Sequence, residues 1–284
     1  MFNNSIENIY IINGLSKCGN NLFASWLISS FDDNEVYFLD NVKPDKYNLY
    51  SNEVDLNLLG NSIVANDNDT GKIEDNLRKK LVKENDMKTF LNGGSDIKTL
   101  VITMENKEAE EIDNLSELFT NAKNLYKCIV IRDILNMVSS KIESDNITAT
   151  KAKSKKTTQL MDKITEYWLN NYYNSQKKEY ITFNYNKFLC YNVSRKTLAK
   201  KLNINFDKAN EQLNLIGCTN GDTSVITNKS DYYMKWLKHR NNKFINELIY
   251  NDKIIKILCR EFLMCLNAND EKIKICKKIY ILRN

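Results

Sequence analysis

The chain is poor in histidine, proline and glycine: its 284 residues include one His, one Pro and eight Gly. A single histidine cannot supply the clustered imidazoles of most zinc sites, and it leaves the cysteines without paired histidines for thiol catalysis. The seven cysteines are an odd number and contain no CxxC pair. We therefore expect no structural metal site and no disulfide framework.

Long hydrophobic runs are also missing. A membrane span needs about 18 consecutive apolar residues, and no run approaches that length. The N-terminal stretch MFNNSIENIYIING has no basic flank before its short apolar part, so we expect neither a membrane anchor nor a signal peptide, and a cytoplasmic location. Hydrophobic residues make up 42% of the chain and charged residues 27%, which is enough apolar matter for a sizeable core.

The charge is nearly balanced, with 41 Lys and Arg against 36 Asp and Glu and a net charge of +5. The positive charge is diffuse except for one cluster, made up of Lys151, Lys153, Lys155 and Lys156. This distribution does not predict nucleic-acid binding, but it is compatible with binding a small polyanion. The polar stretch 147–159 that holds the cluster is predicted to be mobile.

Five short β-rich runs alternate with helical patterns along the chain. The predicted strands are 8–13, 36–39, 98–104, 126–131 and 179–185, and almost everything from 194 onward has a helical pattern except 217–224. Strands separated by helices predict an α/β fold, a three-layer parallel sheet with helices on both faces. We expect a single domain, 1–284, with its core in 8–206 and a helical C-terminal region in 207–284.

The loop after the first strand has the spacing of a phosphate-binding loop. Gly14 and Gly19 enclose Leu15-Ser16-Lys17-Cys18 in a GxxxxG pattern, which can offer backbone N–H groups to an anion at the start of a helix. A nucleotide triphosphatase would continue with Lys and then Ser or Thr for Mg²⁺, whereas this chain has Asn20 and Asn21. The pattern favours a donor that reacts without a metal; a tight turn with a surface lysine is the alternative.

A second cationic position follows the 126–131 strand. Arg132 stands at the carboxyl end of that strand, and Ser140 lies eight residues later in the next helical pattern. A guanidinium and a hydroxyl brought together there can hold a second phosphate.

Together these motifs resemble the sulfotransferases that use 3′-phosphoadenosine 5′-phosphosulfate, over residues 8–224. The resemblance implies a P-loop-like sulfotransferase fold, a catalytic Lys17, and a 3′-phosphate held by Arg132 and Ser140. It also implies that Tyr185 lies near the adenine. The other implied donor-binding residues belong to the first loop or to a late glycine-containing loop: Leu15, Ser16, Cys18, Gly19, Asn20, Asn21, Gly221, Thr223 and Ser224.

The chain departs from the family pattern at several of these positions. Cys18 replaces the loop serine, Asn20 and Asn21 replace two threonines, and Ile134 stands where proline usually follows the arginine. The acidic pair that follows the tyrosine in the family is absent after Tyr185. Cys18 lies where a helix is predicted to begin, a position that lowers a thiol pKa.

The transfer also needs a general base near Lys17. Glu105 follows the third predicted strand and is our first candidate, and Asp40, after the second strand, is the reserve. His239 is predicted to be a solvated or half-buried helix residue. We expect a metal-free sulfuryl transfer to a hydroxyl or amine of a small-molecule or glycan acceptor, leaving adenosine 3′,5′-bisphosphate. The alternatives are a Mg-ATP-dependent small-molecule kinase and a catalytically degenerate nucleotide-binding protein, and the oligomeric state stays open.

Overall fold

The computed structural model describes residues 6–31, 36–39, 98–120, 122–144, 155–215, 235–262 and 279. Asp40, Gly221, Thr223 and Ser224 lie outside these described residues, and so do Lys151 and Lys153. Within the described ranges strands and helices alternate as the sequence predicts, and the chain is an α/β protein.

Five strands form one parallel sheet in the described residues. They are β1 (Asn8–Gly14), β2 (Val36–Leu39), β3 (Thr99–Glu105), β4 (Asn124–Ile131) and β5 (Ile181–Asn184). The order across the sheet is β2-β3-β1-β4-β5, and every neighbouring pair is parallel. All five strand predictions are confirmed, with ends that shift by at most two residues.

Helices follow the strands and continue to the described C-terminal part. They are α1 (Asn20–Ile28), α2 (Ala109–Ser116), α3 (Ile134–Ser144), α4 (Lys155–Asn174), α5 (Tyr185–Cys190), α6 (Asn192–Leu202), α7 (Phe206–Leu215), α8 (Lys243–Ile249) and α9 (Asp252–Ile257). Short turns of 3-10 helix cover Glu117–Phe119 and Lys235–His239, and a π turn covers Leu258–Phe262. None of the helices described is both long and apolar enough to cross a membrane.

Two boundaries differ from the sequence-based expectation. The stretch 147–159 is predicted to be mobile, but its last five residues, KKTTQ, form the start of α4, and they contain no glycine or proline that would oppose a helix. Tyr185 is predicted to end the last strand, but it begins α5. The reason is a cap: the Asn184 side chain accepts a hydrogen bond from Lys187 N at 3.0 Å, which favours a helix start.

The topology places helices on both faces of the sheet. The connection from β1 to β2 passes through α1 and runs toward one edge, whereas the connection from β3 to β4 passes through α2 and runs toward the other. Right-handed crossovers that run in opposite directions lie on opposite faces. In keeping with this, β1 is buried along nearly its whole length, as expected for a strand covered on both sides.

The register of the central strands defines where a site can form. Gly14, the last residue of β1, pairs with Glu105 at the end of β3 and with Val130 near the end of β4. The chain order reverses beside β1, and ligands of open parallel sheets bind at the carboxyl ends of strands at such a reversal. The loops after β1, β3 and β4 therefore meet at one place.

Candidate functional site

The loop after β1, residues 14–21, is called the first loop below, and two hydrogen bonds of its backbone N–H groups fix its conformation. Ser16 N donates to Asn106 Oδ1 at 3.0 Å, and Cys18 N donates to Leu15 O at 3.0 Å. Within the described part of the chain, the N–H groups of Lys17, Gly19, Asn20 and Asn21 have no protein acceptor. These four donors around the start of α1 form a suitable cradle for an anion.

Lys17 lies at the exposed tip of the first loop in a backbone conformation that few residues other than glycine adopt. Its φ is 69° and its side chain is exposed. A residue of this size in the left-handed region costs roughly 1–2 kcal/mol, so the surrounding contacts must hold it there. The conformation turns the Lys17 carbonyl inward, where it accepts a hydrogen bond from Arg132 Nη1 at 2.9 Å.

Position 19 requires glycine because of its backbone conformation and because of the adjacent Tyr185 ring. Its φ is 101°, and a Cβ there would lie 2.3 Å from Cδ2 of Tyr185. The Tyr185 ring therefore packs directly against the backbone of the first loop. A side chain at position 19 would force either the ring or the loop to move.

The side chain of Asn20 lies at the base of the first loop. Its side chain is 3% exposed and turns inward, where Nδ2 donates to Gly14 O at 3.3 Å. The side-chain amide thus stabilises the base of the first loop, and the backbone N–H of Asn20 is one of the four donors of the cradle. Asn21, the next residue, is exposed.

Cys18 does not have the expected lowered thiol pKa. It is 1% exposed, and its Sγ lies 3.3 Å from the Sδ atom of Met137. Burial raises its pKa to about 12, although the Arg132 charge and hydrogen bonds with the Leu15 and Arg132 backbone act in the opposite direction. Desolvation outweighs the effect of the helix start because the side chain points into the core.

Arg132 is brought to the first loop, as the sequence predicts. It is 5% exposed, and besides its bond to the Lys17 carbonyl its guanidinium lies 4.7 Å from the centroid of the Tyr185 ring. Its own carbonyl accepts a hydrogen bond from Trp168 Nε1 at 2.8 Å. The charge of Arg132 is thereby fixed beside the anion cradle.

Ser140 is half-buried on α3, the helix that begins two residues after Arg132. At 1.5 Å per residue it lies about 9 Å along the helix axis from Ile134. Its predicted part in binding the 3′-phosphate stays a prediction, as does the predicted contact of Tyr185 with adenine.

Glu105 and Asn106 lie beside the first loop at the end of β3. Glu105 is half-buried and near enough to Cys18 for their charges to interact. Asn106 has a φ of 57°, donates its N–H to Gly14 O at 3.1 Å, and accepts the Ser16 N–H with its side chain. Sequence reasoning missed Asn106; the signal available was an asparagine directly after a strand, because asparagine tolerates the left-handed region.

His239 is half-buried in a 3-10 turn, as expected, and its Nε2 lies 3.1 Å from Glu143 Oε1 on α3. Lys235 pairs with the other oxygen of Glu143 at 3.0 Å. Partial burial opposes ionisation of Glu143, but the hydrogen bonds from Lys235 and His239 outweigh it and lower the pKa of the carboxyl.

Asp133 and Asn186 form a buried polar pair next to Arg132 and Tyr185, and sequence reasoning missed both. Asn186 Nδ2 donates to Asp133 Oδ2 at 2.9 Å. Burial raises the pKa of Asp133, while Arg132 and the hydrogen bonds of Asn186 and Asn136 act in the opposite direction.

No protein-family model matches the chain, and no curated protein matches it significantly. Among the described residues, no three His, Cys, Asp or Glu side chains are grouped so that they could hold a metal ion. The function must therefore be argued from the residues of this site.

Proposed function

We propose that the protein is a sulfotransferase that moves a sulfuryl group from 3′-phosphoadenosine 5′-phosphosulfate to a hydroxyl or amine, in a P-loop-like sulfotransferase fold. The observation that carries the proposal is the joining of two cationic positions at one sheet edge. The first loop offers Lys17 and its N–H cradle, and Arg132 is bonded to the carbonyl of that same Lys17 at 2.9 Å. A nucleotide with phosphate groups at both its 5′ and 3′ positions matches this pair of cationic positions.

The proposed reaction is an in-line displacement at sulfur. A bond forms between sulfur and the acceptor oxygen or nitrogen while the bond from sulfur to the 5′-phosphate oxygen breaks. Lys17 and the first-loop N–H groups stabilise the charge that develops on the leaving oxygen. The acceptor proton passes to Glu105, and the products are the sulfated acceptor and adenosine 3′,5′-bisphosphate.

Two observations support Glu105 as this base. It ends β3 in register with Gly14, so its carboxylate belongs to the strand next to the first loop. It is half-buried, and the hydrogen bonds of Asn106 to Gly14 and Ser16 fix the backbone that carries it. A base held on a strand end keeps its distance to the reacting group.

The residues around the cradle fit this donor better than Mg-ATP. A phosphate-loop kinase uses a Ser or Thr hydroxyl after its loop lysine to hold Mg²⁺, and Asn21 stands at that position. The residue before it, Asn20, uses its side chain inside the first loop. The kinase therefore remains the competing function to be tested, together with nucleotide binding without catalysis.

The test is transfer of labelled sulfate from the donor to a panel of phenols, amines and small sugars, without divalent cations. Lys17→Met should abolish transfer and leave the fold intact. Lys178→Met is the matched control, because Lys178 is exposed in the turn that precedes β5 and lies at the opposite edge of the parallel sheet. Transfer by Lys17→Met at the wild-type rate would refute the role of Lys17. Failure of the wild type with every acceptor, together with failure to bind the product nucleotide, would refute the function.

A further inference from the structure

Asp133, which follows the carboxyl end of β4, and Asn186, in α5 directly after β5, form a reciprocal hydrogen-bonded pair. Asp133 N donates to Asn186 Oδ1 at 3.2 Å, and Asn186 Nδ2 donates to Asp133 Oδ2 at 2.9 Å. The two residues are 4% and 0% exposed. Both carboxylate oxygens of Asp133 and both polar side-chain atoms of Asn186 already take part in hydrogen bonds within the protein, so any function of the pair must act through its neighbours.

The neighbours are the two residues that pack on the first loop. Asp133 directly follows Arg132, and Asn186 directly follows Tyr185. Arg132 bonds to the Lys17 carbonyl, Tyr185 packs on Gly19, and the two side chains contact each other. The buried pair therefore links the backbones of the two segments that hold the first loop.

The pair also connects the two segments to α3 and to Trp236. The second oxygen of Asp133, Oδ1, accepts Asn136 N at 2.9 Å and so caps the start of α3. Asn136 Oδ1 in turn accepts Trp236 N at 3.3 Å. With these contacts each carboxylate oxygen of Asp133 has one donor.

Burying an aspartate to join these two segments costs free energy of folding. Desolvation of a carboxylate opposes folding, and an apolar pair of similar volume stabilises a core as well or better. The polar pair instead fixes the relative position of the two segments, because its hydrogen bonds are satisfied in only one arrangement of them.

We propose that Asp133 and Asn186 are positioning residues that set Arg132 against the first loop for the second, 3′-phosphate of the donor. The identity of the ligand in this inference rests on the proposed function, whereas the positioning of Arg132 by the pair does not. The pair should therefore affect the preference for a bisphosphate over a monophosphate more than it affects binding of the 5′-phosphate itself.

The two side chains offer a swap as a test. Asp133→Asn places a second amide and Asn186→Asp a second carboxylate in the pair, so each single variant disrupts one bond. In the double variant D133N/N186D the amide at position 133 donates to the carboxylate at position 186, and every hydrogen bond of the pair is restored with one direction reversed. The swap keeps volume and burial constant, which makes it a matched control for both single variants.

The first readout is calorimetric binding of adenosine 3′,5′-bisphosphate and of AMP. Each single variant should weaken bisphosphate binding by about tenfold, the scale of one lost charge-assisted hydrogen bond, and change AMP binding by less than about threefold. The swap should restore the wild-type ratio. Equal loss of both nucleotides, or a folded swap variant that lacks the preference, would overturn the proposal. If one single variant does not fold, the other single variant is compared with the swap, and the same outcomes apply.

The second readout needs no ligand and separates this inference from the proposed function. The indole N–H of Trp168 donates to the Arg132 carbonyl, and the chain has three tryptophans, so the indole region of a ¹⁵N NMR spectrum is simple to assign. The Trp168 resonance should shift in each folded single variant and return in the swap. Unchanged resonances in the single variants would overturn the positioning role, whereas shifted resonances in a protein that binds no nucleotide would refute the proposed function alone.

Discussion

Gly19→Ala tests the packing of Tyr185 against the first loop. An alanine at this φ of 101° must adopt a left-handed conformation that costs roughly 1–2 kcal/mol. Its Cβ would also lie 2.3 Å and 2.6 Å from two ring carbons of Tyr185, so the ring must move. Because that ring lies 4.7 Å from the buried Arg132 guanidinium, the movement weakens a desolvated cation–π contact of about 2 kcal/mol. We expect a total loss of about 2–4 kcal/mol in the free energy of unfolding.

The assay is chemical denaturation of a double-mutant cycle. In the Tyr185→Ala background the ring is gone, so Gly19→Ala should cost the backbone strain alone, roughly 1–2 kcal/mol. Gly14→Ala is the control: its Cβ would meet the Asn20 side chain at 2.3 Å and Val130 at 2.9 Å, and Tyr185 is not among its neighbours. Tyr185→Ala should therefore give no relief to Gly14→Ala.

Two results would refute this reasoning. Gly19→Ala with a free energy of unfolding within about 0.5 kcal/mol of wild type would mean that the loop backbone is not held as described. A full loss that persists unchanged in the Tyr185→Ala background would mean that the ring does not pack on the glycine.

Three further predictions concern single residues of the site. Lys17→Gly should leave the free energy of unfolding equal or higher by up to about 1 kcal/mol, since it relieves the left-handed strain, yet abolish transfer; a clear loss of stability in denaturant would contradict this. Burial raises the pKa of Cys18 from 9.0 to about 12, so the unfolded chain loses this proton first and stability should fall above pH 9 by up to about 1.4 kcal/mol per pH unit from this group. Denaturation curves from pH 8 to 10.5 should show a shallower fall for Cys18→Ala, and identical slopes would disprove the assignment. Glu105→Gln should reduce transfer in the sulfate assay without weakening nucleotide binding, and a rate within a few-fold of wild type would shift the base to Asp40.

The sheet could be predicted from the sequence because its strands are short apolar runs ended by glycine, glutamate or arginine. The run from Ile9 to Ile12 and the one from Cys128 to Ile131 need no tertiary information to be read as buried strands. The end of the last strand could not be predicted in the same way. Asn184 caps a helix there through a single side-chain hydrogen bond, and this local cap outweighs the β propensity of Tyr185.

The site was predictable where its residues follow strands and unpredictable where long-range contacts define it. Arg132 and Lys17 follow strand ends, so the parallel sheet brings them to one edge. Asn106 contacts Ser16 across 90 residues of chain, and Asn186 contacts Asp133 across 53, and neither pair has a spacing signal. The prediction of a lowered thiol pKa for Cys18 was wrong for a related reason. The Cys18 side chain points into the core and contacts Met137 of α3, and this long-range packing has no signal in the sequence.

Calorimetric binding of adenosine 3′,5′-bisphosphate in the presence of EDTA tests the central claim most directly, with AMP and Mg-ATP as comparison ligands. The account predicts binding that requires the 3′-phosphate, needs no divalent cation, and weakens by at least about tenfold on Arg132→Ala, as expected for a lost charge-assisted hydrogen bond. Absence of binding, or a preference for Mg-ATP, would contradict the sulfotransferase proposal and favour the kinase or the non-catalytic alternative.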